Sequence, residues 1–198
     1  MNTYTIFVFL ITYLICSISP SIILCKKITG EDIRNLGSGN AGTTNAIRVL
    51  GKPIGFLVFV LDIVKVLISY GAMIGLASIF KESFDFGLQV FIVASVLGHC
   101  YPIYYTFKGG KGVAVSIVVA FLINSQLALV CVIAGIFIIL ITRMVSLASI
   151  AGIILFDIMI FVMMPKLLVP VFIISCIILF KHRSNIERIL EGQENKLF

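Results

Sequence analysis

Residues 37–52 gather the groups that hold an anion: Gly37-Ser38-Gly39-Asn40-Ala41-Gly42-Thr43-Thr44-Asn45, closing on Arg48 and Lys52. Glycines let the backbone approach a ligand and turn its N–H groups toward negative charge. Ser38, Asn40, Thr44 and Asn45 add neutral donors, and Arg48 adds a bidentate fork. The combination suits a phosphate. Glycine- and serine-rich stretches also serve as plain flexible connectors; what argues against that here is the arginine and lysine following the glycines on a helical turn.

A second polar segment carries Gly98-His99-Cys100-Tyr101-Pro102 and then Phe107-Lys108-Gly109-Gly110-Lys111-Gly112. A Gly-Gly-Lys-Gly sequence opening a helix places bare amides and a lysine at the positive end of the helix dipole, which makes an anion site. The spacing is not that of a nucleotide-binding P-loop, so nucleotide is not inferred. Lys108 and Lys111 have an alternative reading as charges that only set topology, and His99, before a proline, as a structural histidine. The third segment runs Lys181-His182-Arg183-Ser184-Asn185-Ile186-Glu187-Arg188-Ile189-Leu190-Glu191-Gly192-Gln193-Glu194. Its apolar positions at helical spacing predict a short interfacial helix. His182 and Asn185, three apart, share a face of it and can orient a hydroxyl or a phosphate.

The elements that must position these segments are membrane helices. The chain of 198 residues is 60% hydrophobic and 12% charged, whereas a soluble domain is about 45–50% apolar and about 25% charged. One membrane domain, 1–198, is expected. A span needs about 20 apolar residues, and seven stretches are candidates: 3–24, 54–79, 87–105, 112–124, 126–142, 145–163 and 165–181. The fourth is short and parts from the fifth only at Asn124-Ser125-Gln126. The first lacks a basic leader region and is apolar for too long to be a cleaved signal, so it reads as a retained helix.

Placing 25–53 in the cytoplasm puts twelve lysines and arginines inside and leaves Lys81 and Lys166 outside, with Lys65 at a helix end or within the membrane. The positive-inside rule then selects an exterior N-terminus and a cytoplasmic C-terminus, and the alternation itself favours an odd number of spans. All three polar segments fall on the cytoplasmic face. The net charge of +6 therefore belongs to short loops facing lipid or substrate, not to nucleic acid. Five scattered cysteines without CxxC spacing exclude a disulfide framework or zinc site and read as small buried hydrophobes. Asp62 and Lys65, three apart in the second span, read as a mutually paired, structural or site-supporting couple.

GSGNAGTTNAIRVLGK, LDIVK, GHCYPIYYTFKGGKGVA and HRSNIERILEGQENK, in this order over essentially the whole chain, resemble the bacterial membrane acyl-phosphate:glycerol-3-phosphate acyltransferases. Tyr101 departs from the family's usual Phe, and Val66 from a frequent Gly. The resemblance implies an all-α, polytopic, seven-helix protein of the bacterial cell membrane. Its activity would move an acyl chain from acyl phosphate to the 1-hydroxyl of glycerol 3-phosphate, the first acylation of phospholipid synthesis, yielding lysophosphatidate and phosphate.

By the same resemblance Ser38, Arg48, Lys111, His182 and Asn185 hold phosphate and align the reacting groups. Gly37, Gly39, Asn40, Thr44, Asn45, Lys52, His99, Lys108, Gly109, Gly110, Gly112 and Glu194 are supporting members, Glu194 having the alternative of anchoring the C-terminal tail. No metal, nucleotide or other cofactor is required, since acyl phosphate is already an activated anhydride, and no obligate protein partner is inferred. The rival readings are an anion transporter or channel and a structural membrane subunit. The first fits poorly with polar motifs at one face and no inverted repeat; the second leaves the glycine and lysine clusters unexplained.

Overall fold

The computed structural model describes residues 2–197, which form ten α-helices joined by short turns. In chain order these are α1 (Thr3–Cys16), α2 (Pro20–Thr29), α3 (Thr43–Leu50), α4 (Lys52–Phe80), α5 (Phe84–Cys100), α6 (Val113–Ile123), α7 (Ser125–Thr142), α8 (Val145–Met163), α9 (Leu168–Lys181) and α10 (Arg183–Leu190). The chain divides into two compact units, Met1–Ser116 and Ile117–Phe198, with the boundary inside α6.

In the first unit α1 packs against α4 and α5, and α3 lies along α4. The expected first span is broken: α1 stops at Cys16 and α2 starts at Pro20. Proline has no N–H and disfavours helix in the residue before it, so it opens a new helix and does not continue the old one. At one end of this unit the Asn2 side chain donates to Glu82 Oε1 at 2.8 Å, tying the start of α1 to the α4–α5 turn. At the other end the Arg34 guanidinium donates to the carbonyls of Tyr105 and Lys108 at 2.8 and 3.2 Å. The first two polar segments thus share one end of the unit.

In the second unit α7 pairs with α8, α8 with α9, and α10 packs against both α8 and α9. The backbone N–H of Leu197 donates to the Arg143 carbonyl at 2.8 Å, so the tail returns to the α7–α8 turn.

Among the described residues, five stretches are long and apolar enough to cross a bilayer, Thr3–Thr29, Lys52–Phe80, Phe84–Tyr105, Ser125–Thr142 and Val145–Met163. A sixth arises if Pro165–Lys181 and Arg183–Leu190, bent by 58°, are taken together. The fourth expected span is the outlier. With 11 residues, α6 is about 16 Å long, against about 30 Å of hydrocarbon. The break that ends it is real: Asn124 is extended and its side chain caps α7 by accepting from the N–H groups of Gln126 and Leu127. Many large hydrophobics along α4, α7, α8 and α9 face outward, as a lipid-solvated surface requires. Cys16, Cys25 and Cys100 are buried as expected, but Cys131 is half-buried and Cys176 exposed, which corrects the uniform reading.

Candidate functional site

The glycine-rich loop of 37–45 is shaped by Asn45. Its Oδ1 accepts the Ser38 N–H at 2.8 Å, and its Nδ2 donates to the carbonyls of Ile33 and Leu36 at 3.2 and 3.0 Å. Asn45 is buried and frames the loop from within. Gly37 has φ +58, and a Cβ there would run into the Asn45 carboxamide. The Ser38 amide is committed to Asn45 and the Gly39 amide to the Leu36 carbonyl. Those two amides are thus used within the protein, and the start of α3 and the loop's side chains are further donors toward an anion. Ser38, Thr44, Arg48 and Lys52 are exposed and Asn40 is half-buried. Thr43, which opens α3, has a buried hydroxyl without a hydrogen-bond partner among the described residues.

The second segment folds back on itself. The Gly109 N–H donates to the Cys100 carbonyl at 3.2 Å and the Gly110 N–H to the His99 carbonyl at 3.1 Å. These two amides are therefore not bare, contrary to the expectation for this turn. The glycines are needed for close approach instead: a Cβ on Gly110 would collide with the His99 ring and lie 2.9 Å from the Ala41 carbonyl oxygen. This point brings the two glycine loops together. Beyond it come half-buried Lys111, Gly112 at φ +89, and the N-terminus of α6, where the dipole favours an anion. Lys108 is exposed.

The stretch before the glycines holds Thr106 and Phe107 at φ 55 and 57, left-handed conformations that cost about 1 kcal/mol or more each in non-glycine residues. The Phe107 N–H donates to the Pro102 carbonyl, and Arg34 clamps the carbonyls on either side of the pair, at Tyr105 and Lys108. Arg34 is in turn held by Asp32 at 2.6 Å, whose carboxyl is lowered in pKa chiefly by that hydrogen bond. In the sequence Arg34 is one of the twelve cytoplasmic-side charges, and its place three residues before Gly37 is the one signal of this role.

The third segment lies in the second unit. His182 is buried and its Nδ1 is 2.8 Å from the Ile178 carbonyl. A carbonyl can only accept, so Nδ1 carries the proton and a neutral ring has its lone pair on Nε2. Asn185, in the first turn of α10, donates its N–H to the His182 carbonyl at 2.8 Å and its side-chain Nδ2 to Glu194 Oε1 at 2.7 Å. Glu194 also accepts from Ser146 Oγ at 2.9 Å and pairs with Arg188 at 2.9 Å. It therefore anchors the tail and orients Asn185. Asp157, for which the sequence shows no neighbouring partner, accepts from Ser175 Oγ at 2.8 Å.

The family model for glycerol-3-phosphate acyltransferase matches residues 6–192. The chain belongs to the glycerol-3-phosphate acyltransferase family. It is an acyltransferase and an integral membrane protein. A relative of that name from Thermoanaerobacter pseudethanolicus is 38% identical over 196 residues, covering 98% of this chain and 96% of the relative. Two crystal structures of the integral membrane glycerol 3-phosphate acyltransferase PlsY also align with it. The glycerol 3-phosphate form has a TM-score of 0.84 and 38% identity over 97% of this chain and 94% of that one. The lysophosphatidic acid form has a TM-score of 0.81 and 36% identity over the same shares.

Within this family the contact at Gly110 makes a clear prediction. Neither the buried His99 ring nor the Ala41 carbonyl can move away cheaply, so Gly110→Ala should displace the turn that presents Lys111. A displacement on the ångström scale is expected to lower acyl transfer about 100-fold. The check is the initial rate of lysophosphatidate formation by purified variant and parent; equal rates would mean that the turn's position does not matter.

Proposed function

We propose that this protein transfers a fatty acyl chain from acyl phosphate to the 1-hydroxyl of glycerol 3-phosphate at the cytoplasmic face of a bacterial cell membrane. The hydroxyl oxygen attacks the acyl carbon, the new ester forms as the carbon–oxygen bond to phosphate breaks, and the hydroxyl proton leaves with a phosphate oxygen or on His182 Nε2. Lysophosphatidate and inorganic phosphate are released. The observation that carries this reading is the near full-length likeness to PlsY structures in the glycerol 3-phosphate and lysophosphatidic acid forms.

Ser38, Arg48, Lys111, His182 and Asn185 are the residues that hold phosphate and align the reacting groups. Positioning and charge neutralisation carry the catalysis, because the mixed anhydride is already activated and asks for no nucleotide or metal. Seven crossings, with an exterior N-terminus and α6 as the short fourth, account for the distribution of lysine and arginine. Purified protein in detergent, given acyl phosphate and glycerol 3-phosphate, should release phosphate and lysophosphatidate in equal amounts. Phosphate without the lipid would mean hydrolysis only, and neither product would return the case to anion transport.

Direct attack also predicts that Ser38 never carries the acyl group. Acid-quenched enzyme incubated with acyl phosphate alone should show no added acyl mass, in the parent as in Ser38→Ala, while the variant loses transfer activity. An acyl adduct present in the parent and absent from the variant would refute direct transfer.

A further inference from the structure

Lys65 lies on α4 with its side chain 5% exposed as a residue, beside Asp62 at 2% and His99 of α5 at 6%. Ionisable groups buried in a membrane helix are costly and need partners. Mutual pairing would suffice if Asp62 and Lys65 served only each other, and their ion-pair distance is indeed 2.7 Å. Yet Asp62 Oδ1 makes no aligned hydrogen bond. The well-directed bonds of the Lys65 ammonium go elsewhere: one to the Ile18 carbonyl at 2.8 Å, the other to His99 Nδ1 at 3.1 Å. The first satisfies a carbonyl left over where α1 breaks before Pro20, in a place where intrahelical partners are missing. The second reaches the residue that carries the Gly109–Gly110 turn.

Asp62 Oδ1 stands 3.6 Å from His99 Nδ1, beyond hydrogen-bond reach, whereas Lys65, a donor only, lies at 3.1 Å, so Nδ1 accepts from Lys65 and a neutral ring has its proton on Nε2. Nε2 is the ring atom that a Cβ on Gly110 would strike, while the His99 carbonyl accepts the Gly110 N–H at 3.1 Å. Ring and backbone of His99 together form the floor on which Gly110, and after it Lys111, is laid. We propose that Lys65, neutralised by Asp62, is a positioning residue of the acyl-transfer site: it fixes His99, and through His99 the turn that presents Lys111 to phosphate. This rests on the reading of Lys111 as a phosphate ligand. Lys65 touches no substrate; it acts through the turn, and its second bond ties that turn to the α1–α2 break.

The test pairs kinetics with spectroscopy in the full-length protein. Lys65→Met leaves Asp62 buried without its counter-charge and is the variant more prone to misfold, so the double variant Asp62→Asn/Lys65→Met, which removes both charges at similar volume, is made beside it. In double-variant protein that elutes as a single species and melts near the parent, KM for at least one phosphate substrate should rise about tenfold or more, with kcat changing less. A merely structural role would lower the melting temperature and the active fraction and leave KM alone, and that result would overturn the proposal. The chain has two histidines, so 15N-histidine spectra are readily assigned. His99 should show the Nε2–H tautomer in the parent and lose it in the variant, while His182 keeps Nδ1–H in both. If neither variant folds, the parent spectrum decides, and a His99 protonated at Nδ1 overturns the assignment. The tautomer is read independently of turnover, so a parent protein that makes no lysophosphatidate sinks the functional reading and leaves the Lys65–His99 geometry separately judged.

Discussion

Lys111→Ala is expected to lower kcat/KM for acyl transfer by about 10²–10³-fold, the loss typical when one fixed charge-stabilising donor is removed from a reacting centre. Lys111 is half-buried between the Gly109–Gly110 turn and the N-terminus of α6, so its ammonium adds to a helix dipole that already favours negative charge. Partial withdrawal from water makes the charge worth more than that of an exposed lysine. Lys108, three residues earlier and exposed, supplies the internal comparison, since Lys108→Ala should cost far less. Arginine at 111 keeps the charge but changes its shape from a compact ammonium to a planar fork, and should recover part of the rate. Steady-state kinetics with both substrates varied will check this, and equal losses at 108 and 111 would show that net charge, not placement, is what the turn provides.

Glu194→Ala is expected to release the C-terminal tail and cost about 3 kcal/mol of stability, the order of one or two hydrogen bonds to a charged acceptor. The carboxylate receives the Asn185 amide, the Ser146 hydroxyl and the Arg188 guanidinium. The first two bonds are buried and lose their acceptor in the variant; Arg188 is about a third exposed, and an ion pair of that kind contributes little. Glu194→Gln keeps an acceptor for Asn185 and Ser146 and should therefore restore most of the loss. Acyl transfer should fall with the alanine variant too, because Asn185 loses the bond that orients it.

Burial by itself would raise the Glu194 pKa, but the bonds from Asn185, Ser146 and Arg188 outweigh it and hold the group below the ordinary 4.5. A carboxyl whose folded pKa is depressed stabilises fully above its unfolded value and loses that contribution as pH falls through the folded one. The tail should thus loosen only below about pH 4.5. Hydrogen exchange at residues 183–197, followed against pH and in both variants, measures this directly; unchanged protection in Glu194→Ala would mean that the Leu197–Arg143 contact alone holds the tail.

The family and the three polar segments were legible in the chain because they depend on residue type in local order. So was the membrane class: apolar runs near 20 residues and the one-sided lysines and arginines are facts of composition and spacing. The shortness of α6 already showed in the short apolar run of 112–124, but the break before Pro20 was less visible, since hydropathy alone does not register where a backbone carbonyl loses its partner. Asn45 and Glu194 illustrate the same limit. Both carry groups suited to a ligand, and both spend them on the protein, Asn45 on the carbonyls of Ile33 and Leu36 and Glu194 on Asn185 and Ser146.

The sequence determined that this chain lives in lipid, that its chemistry concerns phosphate-bearing substrates, and which segments hold the polar groups. Tertiary structure decided which of those groups the protein spends on itself. Arg34 became a clamp, the Gly109 and Gly110 amides closed on the carbonyls behind them, and Lys65 reached from α4 to both Ile18 and His99. The physical reason is that a buried donor or acceptor must find a partner, and where the partner lies tens of residues away in the chain, only the packing of helices determines which one it takes.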